Sequence, residues 1–159
     1  SLTELAPLAG LLLARGETLG TAESCTGGLI AALITSLPGS SAWFKGGITA
    51  YANEIKTALL GVPEDVLATH GAVSEATALA MAQGAIKNLR VSHSLAVTGI
   101  AGPDGGSPDK PVGTVWLAWC VAGQATARRF LFTGDRAAVR DQAAQAALEE
   151  LVRLLRARV

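Results

Sequence analysis

The stretch Thr18-Leu19-Gly20-Thr21-Ala22-Glu23-Ser24-Cys25-Thr26-Gly27-Gly28-Leu29-Ile30-Ala31-Ala32-Leu33-Ile34-Thr35-Ser36-Leu37-Pro38-Gly39 decides the fold. Thr18 to Ala22 is short and extended, Ser24 to Gly28 forms a turn, Leu29 to Leu37 is an apolar helix, and Pro38-Gly39 ends it. That is a strand, a tight turn and a helix. Upstream, Leu5, Leu8, Leu11, Leu12 and Leu13 recur near helical spacing behind Thr3, a candidate N-cap, and Gly16 stops the pattern. Downstream, Trp43 to Tyr51 reads as a second strand interrupted by Gly46-Gly47. Glu54 to Leu60 is a short helix closed by Gly61, and Pro63 starts another helical turn. Ser74 caps a long helix with Ala78, Met81, Ala82, Ala85, Ile86 and Leu89 on one side, and Glu75 suits the positive end of its dipole.

Ser94 to Thr98 is the next strand, Gly99 to Val112 is too rich in Gly and Pro for regular structure, and Gly113 to Val121 is an apolar strand for the sheet centre. Ala122-Gly123 turns the chain into Thr126 to Phe132. Asp135 caps a last helix reaching about Arg156, with Val139, Ala143, Ala146, Leu151 and Leu155 as its buried stripe. This order predicts a three-layer α/β/α sandwich on a mixed, mostly parallel sheet. Ligands of such sheets bind at the carboxyl ends of strands. Glu23 to Gly28, Tyr51 to Lys56 and Thr98 to Gly113 all leave strand ends and are expected to converge.

The chain has 159 residues, 50% hydrophobic and 16% charged, which suits one globular domain over 1–159 with one buried core. Thirteen Lys+Arg balance thirteen Asp+Glu, so the cationic excess of a nucleic-acid binder is missing. Cys25 and Cys120 are too few for a disulfide framework, and a cytoplasmic location is expected. The longest apolar run, Val112 to Ala122, is far shorter than the roughly 20 residues of a membrane span, so no membrane partner is expected. The start Ser1-Leu2-Thr3-Glu4 lacks the basic region of a signal peptide, and the missing initiator Met suggests a trimmed or excised domain.

Ser24 sits where a strand enters a helix, so its hydroxyl projects while unpaired amides of the helix start face an anion, and Gly27 and Gly28 let a substrate approach. The plainer reading is that Ser24 or Thr26 only caps the helix. Cys25 is a rival nucleophile, because a helix N-terminus lowers a thiol pKa. His70 ends a helix and His93 opens a strand, so both read as structural. Lys56 is the better base, with Ile55, Leu59 and Leu60 nearby to desolvate its amine. Neutrality at pH 7 demands a differential of roughly 4–5 kcal/mol, which burial supplies in other proteins. A solvated helix lysine is the alternative. Arg136 and Arg140, four apart at a helix start, oppose the dipole and suit a phosphate as well as an ion pair with Asp135 or Asp141. No nucleophile elbow, phosphate loop, dinucleotide fingerprint or metal-ligand cluster occurs, so no metal or cofactor is expected.

Thr21-Ala22-Glu23-Ser24-Cys25-Thr26-Gly27-Gly28, Tyr51-Ala52-Asn53-Glu54-Ile55-Lys56, Leu60-Gly61-Val62, Gly71-Ala72-Val73-Ser74, Thr98-Gly99-Ile100-Ala101-Gly102-Pro103, Lys110-Pro111-Val112-Gly113-Thr114-Val115 and Gly134-Asp135-Arg136 together resemble the CinA carboxy-terminal domain family. The resemblance runs over nearly the whole chain. That family includes stand-alone, PncC-type nicotinamide mononucleotide deamidases and domains fused behind a larger amino-terminal domain. It implies an amidohydrolase of pyridine-nucleotide salvage, a C–N hydrolase without cofactor, acting on a small pyridine nucleotide and expected to be a homo-oligomer. By the same resemblance Ser24 is the nucleophile, Lys56 its base and Tyr51 a positioning or relay residue. Thr26, Gly27, Gly28, Thr98, Gly99 and Gly102 are expected around the substrate, with Arg136 and, preferred, Arg140 on its phosphate. Backbone amides after Ser24 or within Thr98 to Gly102 would hold the oxyanion. The competing reading is a non-catalytic oligomerisation or docking domain of a competence or damage-inducible protein.

Overall fold

A computed structural model describes the backbone of residues 2–158 and the side chains of residues 5–158, so the expected cap at Thr3 lies outside the described side chains. The elements are α1 (Leu2–Leu13), β1 (Leu19–Glu23), α2 (Leu29–Thr35), β2 (Phe44–Thr49), α3 (Asn53–Leu60), α4 (Glu64–His70), α5 (Glu75–Leu89), β3 (His93–Gly99), β4 (Thr114–Val121), β5 (Gln124–Leu131) and α6 (Arg136–Arg156). The five strands lie in the order β2-β1-β3-β4-β5. β1 pairs parallel with β2 and β3, while β4 pairs antiparallel with β3 and β5. Four strands therefore point the same way and β4 alone runs against them, as a mixed, mostly parallel sheet requires. β4 is an interior strand, one place from the centre, which β3 holds.

The two faces of the sheet differ in side-chain size. Successive strand residues point to opposite faces, so Leu19, Leu95, Val97, Val115, Leu117 and Trp119 pack under α1, α2 and α6. Ala22, Ala96, Ala118 and Cys120 face the other way, against α3 and α5. Small residues on both partners bring α5 close to that face: Ala78, Ala82 and Ala85 are fully buried there. Gly84 allows α5 to cross the end of α3, because a Cβ at that position would lie 1.9 Å from the Leu60 carbonyl oxygen. This crossing sets the height of α3, and α3 carries Lys56.

Local signals act where they were read. The Ser74 hydroxyl accepts from Thr77 N–H and the Asp135 carboxylate from Ala138 N–H, capping α5 and α6. In α6, Val139, Ala143, Leu151 and Leu155 are buried as expected. Ala146 is only half-buried, and Ala144, Ala147, Leu148 and Val152 complete the stripe, because α6 lies across strands and α1 together rather than on one narrow seam. No described helix is long and apolar enough to cross a membrane.

Candidate active site

Ser24 is the first residue past β1. Its amide donates to the Val97 carbonyl of β3 at 2.9 Å, and the carbonyl of Glu23 accepts from Ala50 N–H at 2.8 Å, so the end of β1 is tied to both neighbouring strands. The turn that follows uses left-handed backbone at Gly27 (φ 61) and Gly28 (φ 100), which explains both glycines without a substrate. The expectation that the start of α2 faces a bound anion is corrected. Glu23, on the same strand face as Leu19 and Thr21, turns its own carboxylate into that position. Oε1 accepts from the Thr26 hydroxyl at 2.6 Å and from Ile30 N–H at 2.9 Å, and Oε2 from Ala31 N–H at 3.0 Å. Neither Ser24 nor Thr26 caps the helix; Glu23 does. Thr26, Gly27 and Gly28 support the turn and do not line the cavity beside Ser24.

Lys56 reaches Ser24 from α3. Helical side chains lean toward the N-terminus, so Lys56, one turn into α3, extends back over its own helix start. Its Nζ donates to Ser24 Oγ at 3.0 Å and to the Tyr51 carbonyl at 2.9 Å. The residue is 1% exposed. Among the described residues no carboxylate pairs with it, and burial lowers its pKa below the ordinary lysine range. Leu59, expected to help desolvate the amine, is half exposed; the enclosing surface is tertiary. Cys25 also borders the cavity, but burial outweighs the nearby cations and pushes its thiol up to about 11. A thiol with that pKa carries little thiolate at neutral pH, and the Lys56 amine is hydrogen-bonded to Ser24 and not to Cys25.

These groups open into a cavity of about 190 Å³ lined by Ser24, Tyr51, Asn53, Lys56, Thr98 and Arg136, with Cys25, Ala72, Val73, Gly99 and Ala101 filling the walls. The three strand-end segments do converge. The Tyr51 ring is exposed; its hydroxyl accepts from Arg136 Nη2 at 3.2 Å and is bonded to neither Ser24 nor Lys56. Its backbone carbonyl is what holds Lys56. Thr98 donates its hydroxyl to the Ala72 carbonyl at 2.8 Å, joining β3 to the loop before α5. Gly102 lies behind the wall and accepts from Arg136 Nη1 at 2.8 Å.

The preference between the two arginines is reversed. Arg140 does not reach the cavity: Nε and Nη2 donate to the Cys25 and Thr26 carbonyls at 3.1 and 2.9 Å, which clamps the turn from behind. Arg136 is the cavity residue. Asp135, expected to neutralise it, is occupied as the α6 cap, and no ion pair joins Arg136 to Asp135 or Asp141 among the described residues. The amides of Cys25 and Thr26 donate to no acceptor among the described residues, whereas Gly27 N–H is taken by the Ser24 carbonyl at 3.0 Å.

Asn53, Ala72 and Val73 were not identified as wall residues from the chain alone. Asn53 opens α3 two residues after Tyr51, and that position was its only signal. A larger groove, about 600 Å³, lies between the α3–α4 connection and α5; its wall holds neither a nucleophile nor a buried base. His93 is buried and structural, with Nδ1 accepting from Ala122 N–H at 3.1 Å and Nε2 3.0 Å from Glu17 Oε1. His70 closes α4, as expected.

A sequence profile of the CinA C-terminal domain matches residues 3–155. The chain belongs to the CinA C-terminal domain family. Within the CinA family it is 55% identical, over 141 residues, to the nicotinamide-nucleotide amidohydrolase PncC of Escherichia coli K12, an alignment covering 88% of this chain and 86% of that protein. A CinA-like protein of Gemmatimonas aurantiaca is 51% identical over 150 residues, covering 92% of this chain and 35% of the longer protein. The crystal structure of competence damage-inducible protein A from Klebsiella pneumoniae superposes with a TM-score of 0.94 at 38% identity, covering 98% of this chain and 97% of that one.

Proposed function

We propose that this chain is a nicotinamide-nucleotide amidohydrolase that converts nicotinamide mononucleotide to nicotinate mononucleotide and ammonia. The observation that carries the reading is the buried Lys56 amine 3.0 Å from the Ser24 hydroxyl without a carboxylate partner. A neutral amine there keeps an N–H for the Tyr51 carbonyl and turns its lone pair to the serine proton. Ser24 Oγ attacks the carboxamide carbon and its proton passes to Lys56. The Cys25 amide, next to the nucleophile, supports the oxyanion, and Arg140, donating to the Cys25 carbonyl, fixes the peptide that carries the Thr26 amide. Collapse breaks the C–N bond as Lys56 returns the proton to the departing ammonia. Water, deprotonated by Lys56, then hydrolyses the Ser24 ester to nicotinate and restores the serine. The first transfer, from Ser24 to Lys56, joins groups already in contact.

A cavity of about 190 Å³ is below the roughly 300–1,000 Å³ of pockets that enclose a drug-sized ligand, so it suits the pyridine carboxamide and leaves the ribose phosphate at the mouth. Arg136 stands there with two of the five N–H groups of a guanidinium engaged, and it supplies the phosphate contact in this reading. A homo-oligomer belongs to the same reading; light scattering measures the mass. We take the compartment to be the cytoplasm, which the two unpaired, buried thiols suit. The docking-domain alternative is not favoured, because an amidohydrolase relative matches over most of both chains.

The test is ammonia release from nicotinamide mononucleotide, nicotinamide riboside and nicotinamide. The mononucleotide is the preferred substrate, Ser24→Ala abolishes turnover, and Cys25→Ala retains most of it. No release from any of the three, or activity that follows Cys25 instead of Ser24, refutes the proposal.

A further inference from the structure

Glu23 has no part in the chemistry just described, yet it is 2% exposed and directly precedes the nucleophile. A buried carboxylate is costly unless donors surround it. This one has three, drawn from the Ser24–Gly28 turn and the helix after it: the Thr26 hydroxyl within the turn and the amides of Ile30 and Ala31 beyond it. The same residue's carbonyl is bonded to Ala50 N–H at the end of β2. Glu23 thus joins the strand end, the turn and the first turn of α2 through one side chain. Helix α2 has no other side-chain cap at Gly28.

We infer that Glu23 is a positioning residue for the amidase reaction, its carboxylate fixing the turn that presents the Ser24 hydroxyl to Lys56 and the Cys25 and Thr26 amides to the oxyanion. Arg140 clamps the carbonyl side of that turn, and Glu23 clamps the hydroxyl and helix side. The two together leave the peptide planes of residues 24–26 one arrangement. Without the carboxylate, Thr26 and the start of α2 lose their shared acceptor, and Arg140 is the one described side chain left to clamp the turn beside its backbone hydrogen bonds. Among the described residues no hydrogen bond joins Glu23 to Lys56, whose amine is held by Ser24 Oγ and the Tyr51 carbonyl. Loss of the carboxylate therefore displaces the nucleophile and the oxyanion donors and leaves the Tyr51 hold on the base in place. The inference rests on the amidase reading for its first assay and is independent of the substrate in its second.

The chosen variants are Glu23→Gln, Thr26→Val, Thr26→Ser and the double variant Glu23→Gln/Thr26→Val. Glutamine keeps one oxygen for two of the donors and sets an NH₂ against the third, the Ala31 amide, the mildest change that breaks the cap. Misplacing reacting groups by about 1 Å costs on the order of 100-fold. Glu23→Gln is therefore expected to lower kcat by about 10- to 100-fold, with KM within about twofold and the pH dependence of kcat unchanged. Thr26→Val lowers kcat in the same direction and Thr26→Ser restores it. The double variant is no worse than Glu23→Gln alone, because both singles break one network.

The second readout is the rate at which a fluorophosphonate labels Ser24, which needs the same nucleophile and oxyanion geometry but no pyridine nucleotide. It falls in parallel with kcat. Circular dichroism melts give the folded fraction, so that both rates are expressed per folded molecule. The proposal is overturned if rates per folded molecule stay within about twofold of wild type while only the melting temperature falls. It is also overturned if Thr26→Val raises KM instead of lowering kcat, or if the two single losses multiply in the double variant. If Glu23→Gln does not fold, the Thr26 pair decides by the same criteria. Wild-type protein that labels but releases no ammonia refutes the substrate and leaves the positioning role to be decided by labelling. Protein that does neither refutes both.

Discussion

Replacing Lys56 by methionine keeps an unbranched chain of similar length in a slot that is 1% exposed and removes only the amine. Two contacts disappear, to Ser24 Oγ and to the Tyr51 carbonyl. General-base catalysis contributes about 10²–10⁴ in rate, and no other described base touches Ser24, so kcat should fall by at least 100-fold. Arginine in the same place keeps its proton at every working pH and is expected to be as poor as methionine. Wild-type kcat rises with pH as the amine loses its proton. The stability consequence has a definite sign. Burial lowers the pKa of Lys56 in the folded chain relative to the unfolded one. Between the lowered folded value and about 10.4 the unfolded chain binds the extra proton, so this contribution to stability rises with pH across that window. Below the folded value the desolvation cost is present in full, and above the unfolded value it is gone. Lys56→Met lacks this gain on going from neutral to alkaline pH. Steady-state ammonia release from pH 6 to 10, with urea melts at matching pH values, measures both. A methionine variant within tenfold of wild-type kcat, or one that keeps the alkaline gain in stability, refutes the neutral-amine assignment.

Arg136→Ala removes the free guanidinium at the cavity mouth, and a hydrogen bond to a charged group is worth about 1.5–3 kcal/mol. The loss in kcat/KM on nicotinamide mononucleotide should exceed that on the riboside by roughly 10- to 150-fold, and equal losses would show that Arg136 only braces Tyr51 and Gly102. Arg140→Ala, in contrast, is expected to cost both substrates alike, because it releases the Cys25 and Thr26 carbonyls and not a phosphate. Gly84→Ala would place a Cβ 1.9 Å from the Leu60 carbonyl oxygen and force α3 away from α5. Overpacking of this kind costs about 2 kcal/mol, or roughly 4–8 °C in Tm for a chain of this size, and the displaced α3 should also reduce kcat; an unchanged Tm would mean that the crossing is not fixed as described.

Much of the architecture is local and was readable without a structure. The Ser74 and Asp135 caps, the glycine stops and the apolar spacing of α1, α5 and α6 act within a few residues, so the chain itself specifies these elements and their order. Ser24 after a strand and Lys56 one turn into a helix were visible for the same reason, as was the convergence of strand ends that an open α/β sheet imposes. What the tertiary structure decided concerns burial and pairing between distant segments. A lysine and a serine 32 positions apart meet only once β2, which leads into α3, pairs beside β1, and the enclosure that lowers the Lys56 pKa comes from the folded walls, not from its neighbour Leu59. Cys25 stands at the start of a helix, where local reasoning lowers a thiol pKa, yet its burial raises it. The role of Glu23 is not legible in the chain, because a carboxylate at the end of a strand carries no sign of the helix start it will fill. Arg136 and Arg140 are equivalent by spacing, and only the packing of α6 against the Cys25–Thr26 turn commits one to the scaffold and leaves the other to the cavity. Periodicity and capping record short-range hydrogen bonds and apolar faces; solvation and long-range partners arise only when those faces pack.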